Sequence, residues 1–385
     1  MKDDTILAHT GLHPHDNHGI VNPPVYHAST VLFPTLDAYR NASTARVRYG
    51  RRGTPTTFAL EEATTALEGG EGSILTPSGL AAIAHSLLAC LKTGDHLLVT
   101  DNTYGPTRRF CDDVLSRYGI TTNYYDPLIG GDIEKLLKPN TKVVWVESPG
   151  TQTFEIQDIP AIANAAHAHG ALVLMDNTWS GGYFYKALKH GVDISIHAGT
   201  KYIVGHSDAM FGVIVCNKAT FETVRDSAQL YGNCTGPDDV YLALRGLRTM
   251  GVRLNHHNAS ALKVATWLQN RPEVLRVMHP GLSNDPGHVL WQRDFTGASG
   301  LFGFVLDIAE EKPLAAFVDD LQFYGMGASW GGFESLILPT QPENSRTATK
   351  WNAGGQTMRI HIGLEDPDDL INDLEAGFNR MNKAR

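Results

Sequence analysis

Lys201, Asp176 and a Ser-Gly helix start are the residues through which this sequence could do chemistry. Lys201 lies in SIHAGTKYIVGHSD (195–208), behind a short apolar run and ahead of a glycine-bracketed turn. Lysine ordinarily keeps its ammonium in water, so a lysine where a buried strand runs out draws its meaning from its neighbours. Asp176 closes the run ALVLMD, where a carboxylate is costly to bury without a cation or a strong donor. An ion pair with Lys201, or a turn ahead of Asn177 and Thr178, would satisfy it equally simply.

The third element is EGSILTPSGLAAIAHSLLACL (71–91), which passes from a short strand through Pro77-Ser78-Gly79 into an Ala- and Leu-rich helix. Unpaired backbone N–H groups at such a start attract an anion, and a phosphate suits them. The helix end contributes only about 0.3–1 kcal/mol when exposed and up to about 2 when partly buried, so hydroxyls or cations must help. Thr200 offers a hydroxyl; Arg51 and Arg52 in YGRRGTPT offer charge. An amine, an acid and a phosphate cradle in one cleft describe a site for pyridoxal 5'-phosphate. In that reading Lys201 joins the cofactor covalently, Asp176 keeps its ring nitrogen protonated and Tyr104, in TDNTYGPTRRF, stacks on the ring.

Those residues need a scaffold that gathers strand ends. From about residue 70 short apolar runs alternate with helical patterns: HLLVTD, KVVWVES, ALVLMDN, DISIHAG and MFGVIVC read as strands, and PTRRFCDDVLSRYG and IPAIANAAHAHG as helices. This alternation predicts an α/β fold with a mainly parallel sheet covered on both faces, and such sheets bind ligands at the carboxyl ends of their strands. Asp101 to Tyr104, Glu147, Asp176 and Lys201 are the polar residues at those ends. Beyond about residue 245 a long helical pattern, the strand-like FTGASGLFGFVLDI and MRIHIGLEDPDDLINDLEAGFNRM indicate a smaller α+β domain, and the Pro-, Asn- and His-rich first fifty residues read as an extended arm.

Composition narrows the function. The chain has 385 residues, 42% of them apolar, and a net charge of -9, with no basic run to hold a polyanion, so nucleic acid is not an expected partner. No stretch approaches the roughly 18 uninterrupted apolar residues of a membrane helix, and a cytoplasmic protein is expected. Cys90, Cys111, Cys216 and Cys234 lack C-x-x-C spacing and read as free buried thiols, while HPHDNH (13–18) has no helical histidine pair for a metal. GMGASWGG fails the spacing of a dinucleotide-binding loop.

The segments NPPVYHASTVLF, YGRRGTPT, LEGGEGSILTPSGLAAI, MDNTW, GTKYIVGHSDAM, RGLRTMGVRL, SWGGFESL and RIHIGLED resemble, over almost the whole chain, the Cys/Met-metabolism family of pyridoxal-phosphate enzymes. The resemblance implies the aspartate-aminotransferase-like fold (fold type I). Its divisions are an interface arm over 1–50, a large cofactor-binding domain over 51–245 and an α+β domain over 246–385. It implies Lys201 as the cofactor-bearing lysine, Asp176 as partner of the ring nitrogen and Tyr104 as the stacking ring, with Ser78, Gly79, Leu80 and Thr200 around the phosphate. Tyr49 and Arg51 are implied to reach the phosphate of a neighbouring subunit, which makes the expected assembly a homotetramer of dimers with shared sites. Arg359 is implied to grip the substrate α-carboxylate, with Ser329 and Trp330 lining the same pocket and Tyr241 at its mouth.

Departures from the family pattern also inform. Ala198 removes a hydroxyl that many relatives place three residues before the lysine. YGRRGTPT, Ala328 and Pro106 stand where members acting at the γ-carbon carry other residues. The expected reaction is therefore β-elimination of L-cystathionine to homocysteine, pyruvate and ammonia, in the biosynthesis of methionine. Lysis of other cysteine conjugates, cysteine desulfhydration, or γ-lyase or γ-synthase chemistry on the same scaffold are the alternatives. Tyr49, Tyr104 and Tyr241 are candidates for proton handling beside Lys201. Arg108 and Arg109 are candidates for a distal carboxylate, and Asp238 and Asp239 for a distal ammonium, against a solvated helix face for all four.

Overall fold

The computed structural model describes residues 1–385 and contains two sheets drawn from separate stretches of chain. The larger has seven strands: β1 (Gly72–Thr76), β2 (His96–Thr100), β3 (Thr121–Tyr125), β4 (Thr141–Glu147), β5 (Leu172–Asp176), β6 (Ile194–His197) and β7 (Gly212–Cys216), in the order β1-β7-β6-β5-β4-β2-β3. Pairing is parallel throughout except at β7, which runs antiparallel to both β1 and β6. The carboxyl ends of the parallel strands consequently lie along one edge, which carries Thr76, Thr100, Glu147, Asp176 and His197. β3, which the sequence reading passed over, is a polar edge strand whose residues are mostly exposed or half-buried.

Helix Gly79–Cys90 buries Gly79, Ala82, Ile83, Ser86 and Leu87, the spacing of one face of a 3.6-residue turn. They pack on Leu97, Val99, Trp145, Leu174 and Ile196 of the sheet, while helix Ile159–Ala168 covers the opposite face with Ile162, Ala163 and Ala166 against Val144, Val146 and Val173. The helix expected over PTRRFCDDVLSRYG breaks after Asp113 and continues as a short 3-10 turn over Leu115–Tyr118.

The second sheet, β8 (Val274–Met278), β9 (Leu301–Leu306), β10 (Tyr324–Gly325), β11 (Ser335–Thr340) and β12 (Gln356–His361), has the order β10-β11-β12-β9-β8. β9 is buried along its whole length, and its alternation explains how the two sheets join. Leu301 and Val305 enter the core of Val146, Met175 and Trp179, whereas Phe302, Phe304 and Leu306 face helices Met250–Gln269 and Pro367–Ala384. The first fifty residues depart from a purely extended arm: helix Asp3–His9 opens the chain and Leu7 is buried against Leu60, Ala63 and Leu244. All four cysteines are free, but only Cys111 and Cys216 are buried; Cys90 is half-buried and Cys234 exposed.

Asp101, just past β2, ties residues 347–349 to the large sheet. Its carboxylate accepts N–H bonds from Thr347 (2.9 Å), Ala348 (3.0 Å) and Thr349 (2.7 Å), the Thr349 hydroxyl (2.9 Å) and a 2.6 Å ion pair from Arg108. These bonds hold its carboxyl below the usual range despite burial. Removing one partner of such a buried pair leaves the other charge uncompensated, so Asp101→Ala should cost about 3–5 kcal/mol. Urea denaturation measures this; an unchanged midpoint would show that the clasp contributes nothing.

Candidate active site

The end of β5 and the turn after β6 bring Asp176 and Lys201 to the same sheet edge, since Asp176 and Ile196 are register partners in adjacent strands. They do not form an ion pair. Asp176 Oδ1 accepts from the Thr178 N–H (3.0 Å) and hydroxyl (2.5 Å), while Lys201 Nζ donates to Ser329 Oγ at 2.8 Å. The Thr178 hydroxyl also accepts from Ala198 N–H at 2.8 Å, which links the aspartate turn to the segment entering Lys201. Burial raises the Asp176 carboxyl above its ordinary value, against the Thr178 bonds and the charges of His197 and Lys201. Burial, with Arg359 nearby, brings the Lys201 amine down to about 8, against the attraction of Asp176.

Ser78 caps helix Gly79–Cys90 by accepting from Ala81 N–H at 3.1 Å. Gly79 makes the approach possible, because a Cβ there would lie 2.5 Å from that of Ala198. The helix start is thereby pressed against the strand-to-lysine turn, with Leu80 exposed beside it. Thr200 is adjacent, but its hydroxyl donates to the Phe211 carbonyl (3.1 Å) and accepts from the Phe211 N–H (2.9 Å), so it serves the turn within the chain.

Tyr104 forms the N-cap of helix Gly105–Asp113, and its ring is 43% exposed. Its backbone N–H donates to Glu147 Oε2 at 2.7 Å. Burial raises the phenol above its ordinary value, as do the carboxylates of Asp176 and Glu147, a setting that keeps Tyr104 protonated and unsuited to act as a base. Arg359, in β12, donates to the carbonyls of Ser329 (3.1 Å) and Gly327 (3.4 Å), and it makes no ion pair with any carboxylate. Trp330 lies with its ring centre 5.5 Å from Lys201 Nζ. Gly331, at φ +83, turns the chain where a side chain would meet Lys201.

Within one chain the structure does not bring Tyr49 and Arg51 into this group. Tyr49 is 45% exposed, and Arg51 donates to the Gln229 carbonyl at 2.9 Å, in a pocket also lined by Arg46, Arg52 and Arg225. Tyr241 is half-buried in helix Pro237–Arg248. Arg108 is committed to Asp101, Arg109 pairs with Asp113, and Asp238 lies 3.3 Å from His27. Thr178 and Glu147 stand in this group of residues, and sequence reasoning assigned neither a role. The Asp-x-Thr turn was a usable signal for Thr178; the place of Glu147 beside Asp176 depends on the strand register.

The observed groups fit pyridoxal phosphate. An acid without a cationic partner, an amine bonded only to a hydroxyl, a capped helix start and an exposed aromatic ring stand at one sheet edge, and each matches a different part of the cofactor. The model of the Cys/Met metabolism PLP-dependent enzymes matches residues 4–379. The chain belongs to this family. It is 48% identical over 390 residues to the cystathionine beta-lyase of Escherichia coli K12, covering 99% of each chain. It is 47% identical over 388 residues to that of Salmonella typhimurium LT2, covering 98% of each. Among solved structures, a cystathionine gamma synthase from Xanthomonas oryzae pv. oryzae, in complex with aminoacrylate and cysteine, is similar with a TM-score of 0.93 at 31% identity over the full length of both chains. Family membership makes pyridoxal phosphate the cofactor.

The lowered amine has a direct readout in protein stripped of the cofactor. Lys201 should react with an amine-directed acylating reagent with a midpoint near pH 8, against about 10.4 for a solvated lysine. Peptide mapping of the label across pH checks this, and a midpoint at the solvated value would contradict the desolvated environment.

Proposed function

We propose that this protein is a carbon–sulfur lyase that cleaves L-cystathionine at Cβ, giving homocysteine, pyruvate and ammonia. The observation that carries the reading is 47–48% identity, over nearly the full length, to two enzymes named cystathionine beta-lyase, in a chain whose Arg359 has no carboxylate of its own. A guanidinium without an acid partner is suited to a bidentate grip on the substrate α-carboxylate. Bound at this edge, the cofactor supplies an electrophilic carbon for the amino group and a ring that accepts the electron pair left at Cα.

Protein groups do the remaining work. Asp176, fixed through Oδ1 by Thr178, would hold the ring nitrogen of the cofactor in its protonated form. Lys201 Nζ, with its proton affinity brought down to about 8, takes the Cα proton, and Ser329 Oγ orients it. Tyr104, kept protonated by its surroundings, would stack on the cofactor ring and is the proton donor to the departing sulfur. The C–S bond breaks to release homocysteine, and water hydrolyses the remaining three-carbon fragment to pyruvate and ammonia.

The division at residues 50 and 245 and the shared site are part of the same proposal. The two sheets occupy residues 72–216 and 274–361. The first fifty residues present exposed Ile20, Val21, Leu32, Leu36 and Tyr39, a surface suited to a second copy. Tyr49 and Arg51 would then reach the phosphate in that copy, where Ser78, Gly79 and Leu80 supply the rest of the cradle; Thr200 would join them by giving up its hydroxyl bond to the Phe211 carbonyl. We assign the assembly as a homotetramer of such dimers. No helix is long and apolar enough to cross a membrane.

Borohydride reduction of the holoenzyme should place the pyridoxyl label on the peptide containing Lys201, and L-cystathionine should yield pyruvate. A label elsewhere removes the site assignment; 2-oxobutyrate as the keto acid assigns γ-chemistry instead. Replacing Arg359 by Lys should raise KM about 10- to 100-fold with a smaller change in kcat, because charged hydrogen bonds of about 1.5–3 kcal/mol are lost. Steady-state kinetics with L-cystathionine measures the split.

A further inference from the structure

Glu147 and Asp176 end adjacent parallel strands as register partners, so two carboxyl groups stand side by side at the floor of the site. Strands in a sheet lie about 4.8 Å apart, and two acids at that spacing do not both ionise readily in a buried setting. Their partners differ. Asp176 receives both Thr178 donors on Oδ1 and shares its edge with Lys201. Glu147 is buried and makes no ion pair; Oε2 accepts from Tyr104 N–H and, at 3.1 Å, from the Thr103 hydroxyl, so both of these donors sit on one carboxyl oxygen. The Thr103 hydroxyl in turn accepts from Trp145 Nε1 at 3.1 Å. From the loop after β4, Thr151 faces the same carboxyl.

We propose that Glu147 is a positioning residue that holds one proton at the ends of β4 and β5, so that Asp176 alone carries the negative charge beneath the cofactor. Through Tyr104 N–H the same neutral acid fixes the helix start that aims the stacking ring. The groups facing Glu147 support this: Asp176 from β5 is a second acid, and Thr103, Tyr104 and Thr151 bring no positive charge. Burial, and after it Asp176, raises the Glu147 carboxyl to about 8, against the hydrogen bonds from Tyr104 N–H, Thr151 and Thr103, which favour the ionised form. This inference rests on the assignment of Lys201 and Asp176 to the cofactor.

The test is an infrared pH titration of full-length protein carrying 13C-carboxyl glutamate. Glu61, on helix Pro55–Glu68, is also raised to about 8 by burial, so the titration is run in Glu61→Gln protein. One glutamate should remain protonated at pH 7 and ionise near pH 8, and Glu147→Gln should erase that signal. No late-titrating glutamate in the Glu61→Gln protein, or a signal that survives Glu147→Gln, overturns the proposal.

Stability gives a second readout. A folded-state value raised from 4.5 to about 8 means that the folded protein binds the extra proton between those limits. Stability is therefore lost as pH rises through that window, with the unfolding constant growing about tenfold per pH unit from this group. Glu147→Gln should remove that component, and an identical pH slope in the two proteins overturns the proposal. Gln also keeps an acceptor for Tyr104 N–H, so Glu147→Gln should retain the holoenzyme absorption band that Glu147→Ala shifts; equal shifts in both reject the positioning role. Failure of wild type to label at Lys201 would sink the cofactor assignment instead, and the infrared signal would still decide the proton on Glu147.

Discussion

Lys201 and Asp176 share one sheet edge without touching, and the site depends on that separation. A contact pair would neutralise both groups and leave neither for a ligand. Here each is satisfied by a hydroxyl: Thr178 for the acid, Ser329 for the amine. Hydroxyls meet the hydrogen-bonding need of a buried charged group at low net cost without cancelling its charge. The amine is thus kept partly neutral and the acid is kept available for a cationic nitrogen. Thr178 adds a mechanical link, because its oxygen also takes Ala198 N–H and so ties the aspartate turn to the lysine turn.

Much of the fold was legible as apolar runs and their punctuation. β2, β4, β5, β6 and β7 fall within one or two residues of HLLVTD, KVVWVES, ALVLMDN, DISIHAG and MFGVIVC, because strands buried on both faces read as continuous apolar segments. β3, with TTNYY, was not legible, since an edge strand needs no such run. Nor was the reversed direction of β7, which depends on pairing between distant segments. β8, β10 and β11 are short or partly exposed and carry weak patterns.

The site was legible where one residue type demands a rare setting. Asp176 at the end of an apolar strand, Lys201 after another and Ser78-Gly79 before a helix each stand out locally, and the fold brings them together. Glu147 was visible as a polar strand end, yet its pairing with Asp176 belongs to the register of β4 on β5. Likewise, the sequence offered Arg108 to a ligand, whereas Asp101 and the loop at 347–349 claim it. A free arginine and a clasped one look alike until the chain is folded.

Arg359 and Ser329 are held by the second sheet and its loops, while Lys201, Asp176 and Tyr104 hang from the first. In the proposed roles, the residue that grips the α-carboxylate and the one that takes the Cα proton are therefore mounted on different sheets, like the jaws of a caliper. β9, Trp179 and the clasp at Asp101 tie the two sheets together. Selection among amino acids that share an α-carboxylate is then a question of alignment between two layers, and residues remote from the chemistry help to tune it.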